Sequence, residues 1–125
     1  MTISLTRRKL AALLTVAVVA STFLIVAFVH DNPTGLTPIA DINSGAVAPG
    51  ENVTVKCRIM SIVMLLVGLH DQLLSLTDGQ GNLSAYWSET RVEVGWVIIT
   101  RGTVYTNESL AHLEWLERVW LFVWL

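Results

Sequence analysis

Two hydrophobic periods divide this chain of 125 residues. From Leu10 to Val29, twenty consecutive positions carry no charge, and no polar face interrupts them. The hydroxyls within the run, Thr15, Ser21 and Thr22, can bond back to the carbonyls of a helix. At ~1.5 Å per residue the run spans about the 30 Å of a bilayer's hydrocarbon core. After residues 30–38, a polar stretch containing Pro33 and Pro38, the period changes to two. Val53, Val55, Cys57 and Ile59 alternate with Thr54, Lys56 and Arg58, which predicts a half-buried strand after the turn Pro49-Gly50-Glu51. Leu74 and Leu76 alternate again and lead into Asp78-Gly79-Gln80-Gly81, a hairpin signal. Leu83, Ala85 and Trp87 form the return strand, and Gly95 to Val104 a fourth. Leu110 to Phe122 reads as a fifth strand, although Leu110, Leu113, Leu116 and Trp120 also fit a helical stripe.

The flanking charges orient the apolar run. Arg7-Arg8-Lys9 precedes it, and the first charge after it is Asp31. Positive charge is retained in the cytoplasm, so the reading is residues 1–9 cytoplasmic, 10–29 a transmembrane helix, 30–38 a linker and 39–125 an extracytoplasmic barrel domain. A cleaved signal peptide has an apolar core of about 7–15 residues and ends in a small-x-small site. This run is longer, and Ile25-Val26-Ala27-Phe28-Val29-His30 offers no good site, so the helix is read as a retained anchor.

Charge splits at the same boundary. All ten acids lie after residue 30, against five basic residues (Lys56, Arg58, Arg91, Arg101 and Arg118), a net of −5 for the outer part. Such a balance opposes binding to a polyanion. The single cysteine, Cys57, is in phase with the apolar positions and reads as a buried small hydrophobe. Sequons at Asn52, Asn82 and Asn107 suit a glycosylated surface protein. Catalytic chemistry is thin. His30, His70 and His112 lack metal-ligand spacing, no nucleophile elbow or phosphate loop occurs, and Asp78 is a turn residue rather than a base. No enzyme activity, metal or cofactor is expected.

A faint echo links Gly50-x-x-Val53-x-Val55-x-Cys57-x-Ile59 to Gly95-x-x-Ile98-x-Thr100-x-Gly102-x-Val104, as in two equivalent strands of one small barrel. Together with Leu74-x-Leu76-x-Asp78-x-x-Gly81-x-Leu83, these segments make residues 39–119 resemble an OB-fold domain of the anticodon-binding-like type. The resemblance implies an all-β, small five-stranded OB-like β-barrel after one N-terminal transmembrane α-helix. The connection from Ser88 to Glu93 is too short for the capping helix that this family usually carries there. The resemblance also implies a single-strand nucleic-acid face, with Lys56, Arg58 and Arg101 as cations and Tyr86 and Trp96 as stacking platforms. The membrane-anchored haem chaperone of cytochrome c maturation looks similar in topology. Its His-x-x-x-Tyr motif is not matched, because His112 is followed four residues later by Leu116, so haem attachment is not carried onto it.

Apolar material remains at both ends of the barrel, in residues 62–69 and 120–125. Met64, Leu65, Leu66, Trp120, Phe122 and Trp124 are read as a partner-contact surface, with strands that run on and close the barrel as the competing reading. The sequence therefore predicts a membrane-anchored, extracytoplasmic, non-enzymatic binding or assembly module. Its partners are the bilayer, through residues 10–29, and a protein or second copy. A single-strand nucleic-acid binder is the alternative, disfavoured by the acidic outer domain.

Overall fold

The computed structural model describes residues 6–65 and 71–123. The apolar run forms α1 (Arg7–Asp31), 25 residues long. Thr6 caps it, accepting the Lys9 N–H at 3.4 Å, and the Thr15 hydroxyl donates to the Ala11 carbonyl at 2.8 Å. Because α1 is apolar all round, no stripe directs it onto the barrel, and among its residues only Ala27 and Asp31 are buried. It is long and apolar enough to cross a membrane.

The remaining elements are α2 (Ile39–Asn43), β1 (Asn52–Met64), β2 (Gln72–Thr77), β3 (Asn82–Trp87), β4 (Val97–Thr106) and β5 (Ser109–Arg118). The strands close into a barrel in the order β1-β2-β3-β5-β4, antiparallel except for the β3–β5 pair. This is the OB-like architecture that the resemblance implies. β1 serves both halves of the barrel. Its first half pairs with β4 and its second with β2, with a register irregularity between Ile59 and Ser61 where the strand turns the corner. Val53, Val55, Cys57 and Ile59 point inward, as their phase requires, and meet Leu74, Leu76, Leu83, Ala85, Ile98, Val104 and Leu110. Burial pushes the Cys57 thiol up to about 12, with Asp78 adding to the shift, so this cysteine is an inert core residue.

The glycine echo has a geometric cause. Gly50 N–H bonds the Val104 carbonyl at one end of the β1–β4 ladder, and Gly95 N–H bonds the Ile59 carbonyl at the other, both at 2.8 Å. Both glycines have φ of +93°, which other residues adopt at a cost. Two antiparallel strands entered by equivalent glycine turns are related by a local twofold, so they share one pattern.

Residues 109–118 form the expected fifth strand; Leu110, Leu113 and Leu116 face the barrel three residues apart, and so also fit a helical stripe, because register shifts interrupt the ladder with β4. β1 runs on to Met64, the competing reading for Ile62 to Met64. One feature differs from the pattern-based reading. No helix connects β3 to β4; instead α2, too short to signal itself in sequence, plugs the barrel with Ile39 and Ile42, both fully buried. The hairpin residue Asp78 holds this plug. Its Oδ1 accepts the N–H groups of Gln80 and Gly81 while Oδ2 accepts the Ile39 N–H at 2.9 Å. Gly81 leaves room for the plug, since a Cβ there would lie 2.9 Å from Ile39 Cγ2.

Candidate ligand cleft and helix–barrel latch

The outer face of β1 and β4 is covered by the chain's own ends. Leu36 bridges to Thr54, and the Thr37 N–H bonds the Thr54 carbonyl at 2.8 Å. After β5 the chain folds back, and the Val119 N–H bonds the Val97 carbonyl at 2.9 Å. Leu36 and Val119 cover Val97 and Ile99 to make a second, small apolar cluster outside the barrel.

The turn after Val119 also grips α1. The N–H groups of Trp120, Leu121 and Phe122 converge on the buried Asp31 carboxylate at 2.8, 2.7 and 2.6 Å. Three successive amides aimed at one anion make a backbone nest. His30 Nδ1 bonds Asp31 at 2.7 Å, and its Nε2 bonds Glu117 at 2.6 Å. The His30 ring stacks on Trp120 with centroids 3.6 Å apart, and Phe28 meets Phe122 edge-on at 5.3 Å. Lys56 Nζ donates to Asn32 Oδ1 at 3.0 Å and to the Phe122 carbonyl at 2.6 Å. Burial alone would raise the Asp31 pKa, but these N–H donors outweigh it and hold the carboxyl at about 2. Burial opposes ionisation of His30, yet its bonds to Glu117 and Asp31 raise its pKa above 6.5. Burial lowers that of Lys56, against the pull of Asp31.

Beside the latch lies an open cleft of ≈ 510 Å³, walled by Arg58, Trp96, Arg118, Trp120 and Val123. The Arg118 guanidinium lies 4.6 Å from the Trp96 ring centroid. Arg58 is on β1 opposite Val97, and Arg118 is on β5 opposite Ile98, so β4 brings both arginines to one rim. A guanidinium over an indole beside a second guanidinium offers a flat stacking surface and charge for a phosphate.

Of the five residues expected to make one nucleic-acid face, the structure brings Arg58 and Trp96 together and separates the others. Lys56 is engaged in the latch. Arg101 pairs with Glu114 at 3.4 Å and reaches Thr54 at 3.5 Å. Tyr86 stands on another face, against His112 at 5.6 Å. Sequence reasoning missed Arg118, whose direction could not be assigned while residues 110–122 fitted both strand and helix.

The other expected positions are also placed. Among the partner-contact residues Met64 and Trp120 are exposed, Leu65 is half-buried and Phe122 packs on Phe28, while Leu66 and Trp124 lie outside the described residues. Asn52, Asn82 and Asn107 are all exposed. Trp87 points inward, as its phase predicts, and donates to Thr90 Oγ1 at 3.3 Å. Among the described residues no three His, Cys, Asp or Glu side chains group as metal ligands; His70 lies outside them.

No protein-family model matches the sequence, and no curated protein matches it. Solved structures do. Telomere capping protein Ten1 from Saccharomyces pombe aligns with a TM-score of 0.52 at 14% identity, over 67% of this chain and 79% of that one. A chain of the S. pombe Stn1–Ten1 complex aligns with a TM-score of 0.51 at 13% identity, over 70% and 77%. A replication protein A heterotrimer bound to ssDNA gives a TM-score of 0.48 at 15% identity, over 58% and 60%. At these identities the first two likenesses concern the fold, and they agree with the OB-like barrel derived from its strand order.

Proposed function

We propose that the chain is an OB-fold module that binds single-stranded nucleic acid weakly and is held at a membrane surface by α1. The observation that carries this reading is the cleft in which Arg118 covers Trp96 with Arg58 alongside. A base can stack on the Arg118 guanidinium plane that covers the indole, a contact that tolerates any base, while the charges of Arg118 and Arg58 attract phosphates. The similar OB-like barrels include a telomere capping protein, and the anticodon-binding-like resemblance read from the sequence implies a single-strand nucleic-acid ligand. The net charge of −5 outside the anchor limits affinity. A photo-crosslinkable oligonucleotide incubated with the full chain should label Trp96 or Trp120 and spare Tyr86; labelling centred on Tyr86 would place the ligand elsewhere.

A second reading, an accessory subunit of a membrane complex, rests on a different observation. Met60, Val63 and Met64 at the end of β1, and Trp120, Leu121 and Val123 after β5, are each 38–55% exposed. One structural neighbour is a chain of a two-protein complex, which suits such a role. The two readings share Trp120 and Val123, which wall the Arg118 cleft, whereas Met60, Val63 and Met64 at the end of β1 lie outside it.

A further inference from the structure

The apolar side chains that follow β5 are tied to the end of α1, and the tie fixes their depth. Phe28 is the last position but one of the uncharged run from Leu10 to Val29, one residue, or ~1.5 Å, inside its end. Phe122 meets the Phe28 ring at 5.3 Å, and the His30 ring stacks on Trp120 at 3.6 Å. The three amides bonded to Asp31 hold residues 120–122 in this position. Ala27, one residue further inside the run, is fully buried, whereas Ala12, Ala17 and Ala20 are exposed. A turn that touches Phe28 lies at the depth of Phe28 wherever α1 crosses a bilayer.

The outward side of the turn has the chemistry of a membrane interface. Leu121 and Val123 are exposed, as is Val29 at the end of the run, so anchor and turn leave apolar side chains uncovered at one level. Trp120 is exposed too, and an indole, apolar in body with one polar N–H, is favoured at the headgroup level. Lys56, Arg58 and Arg118, three of the five cations outside the anchor, flank the turn. Lys56 bonds the Phe122 carbonyl, and the two arginines share the walls of the cleft with Trp120 and Val123. Cations at that level suit lipid phosphates. A protein partner would have to enter the interface beside α1 to cover this turn, whereas lipid already occupies that level.

We propose that residues 120–123 are a foot resting in the interface of the leaflet where α1 ends, with a phospholipid surface as its partner, so that the barrel is seated on the bilayer and not tethered above it. The proposal rests on the reading of α1 as a membrane anchor. It needs no ligand in the Arg118 cleft, and Met60, Val63 and Met64 play no part in it. The test is NMR of the full chain, with labelled methyl groups and aromatic rings, in phosphatidylcholine nanodiscs to which a soluble gadolinium chelate is added. The methyls of Leu121 and Val123 should lose most of the relaxation enhancement that their exposure in the protein would bring, and should show NOE contacts to glycerol and upper acyl-chain protons. Those of Val19, midway along α1, should be shielded and contact acyl-chain protons alone. The Tyr86 ring, exposed on β3 across the barrel from the β1–β4 face, should be relaxed by the chelate. Val19 methyls relaxed by the chelate would end the anchor reading and the foot with it. Shielded Val19 methyls beside Leu121 and Val123 methyls relaxed like Tyr86 would overturn the foot and leave the anchor standing. Shielding of Leu121 and Val123 accompanied by NOE contacts to a second, differently labelled copy of the chain, and none to lipid, would also overturn it.

Discussion

Asp31 accepts the backbone N–H of Phe122 at 2.6 Å, joining the end of the apolar helix to the turn that follows the last strand. Ninety-one positions of sequence close on this contact. Charge-assisted hydrogen bonds of this kind contribute about 1.5–3 kcal/mol each, and three amides left without an acceptor would have to be rehydrated. Asp31→Ala should therefore cost about 3 kcal/mol and release the amides of Trp120, Leu121 and Phe122 to rapid hydrogen exchange, while strand amides stay protected. Unchanged exchange at these three positions would show that the latch does not hold the turn.

The latch sets a pH dependence. Asp31 titrates at about 2 in the folded chain against 3.8 when unfolded. Its stabilisation is therefore in force above 3.8 and is lost as pH falls through about 2. The His30 pKa is raised from 6.5, so its share is complete below 6.5 and declines as pH rises through the folded value. Melting temperature should be highest between these limits, and His30→Gln should remove the decline on the alkaline side while leaving the acid side. An NMR titration of the His30 ring below 6.5 would contradict this.

Exposed apolar side chains at the end of β1 should matter for association and little for folding. Met60 and Met64 are 55% and 45% exposed. The pair Met60→Ser and Met64→Ser should leave stability within about 0.5 kcal/mol, and should lower the oligomeric mass of the full chain in mild detergent if this surface is an interface. Loss of cooperative unfolding in the pair would return these residues to the core.

α1 is expected to remain attached, with the barrel outside. Protease added to intact cells should digest the barrel and leave a fragment of about the size of α1. Protection of the barrel until lysis would reverse the orientation, and a mature chain beginning near residue 30 would show cleavage.

Period-two alternation made the barrel legible because each inward residue, such as Val55 or Leu74, is fixed by burial alone. The Asp78 hairpin was legible because a turn is a local event. α2 was not, since five residues carry no complete helical period and Ile39 and Ile42 acquire meaning only against a barrel end. The latch was hidden for a related reason. His30 and Asp31 read as a polar exit from an apolar run, and their partners lie about ninety residues away. The expected nucleic-acid face failed in part because outward positions carry no burial constraint. Strand phase put Lys56, Arg58 and Arg101 on outer surfaces, but not what covers or pairs them there.

Fluorescence anisotropy of a labelled single-stranded oligonucleotide with the full chain at physiological salt tests the central claim most directly. Binding should be micromolar, with a logarithmic salt slope of about −1.4 for two phosphate contacts on a single strand. Trp96→Ala and Arg118→Ala should each weaken it about 10-fold, as loss of one stacked base or one charged contact does, whereas Arg101→Ala should change it little. Absence of binding at tens of micromolar protein, or binding indifferent to Trp96 and Arg118, would contradict the account.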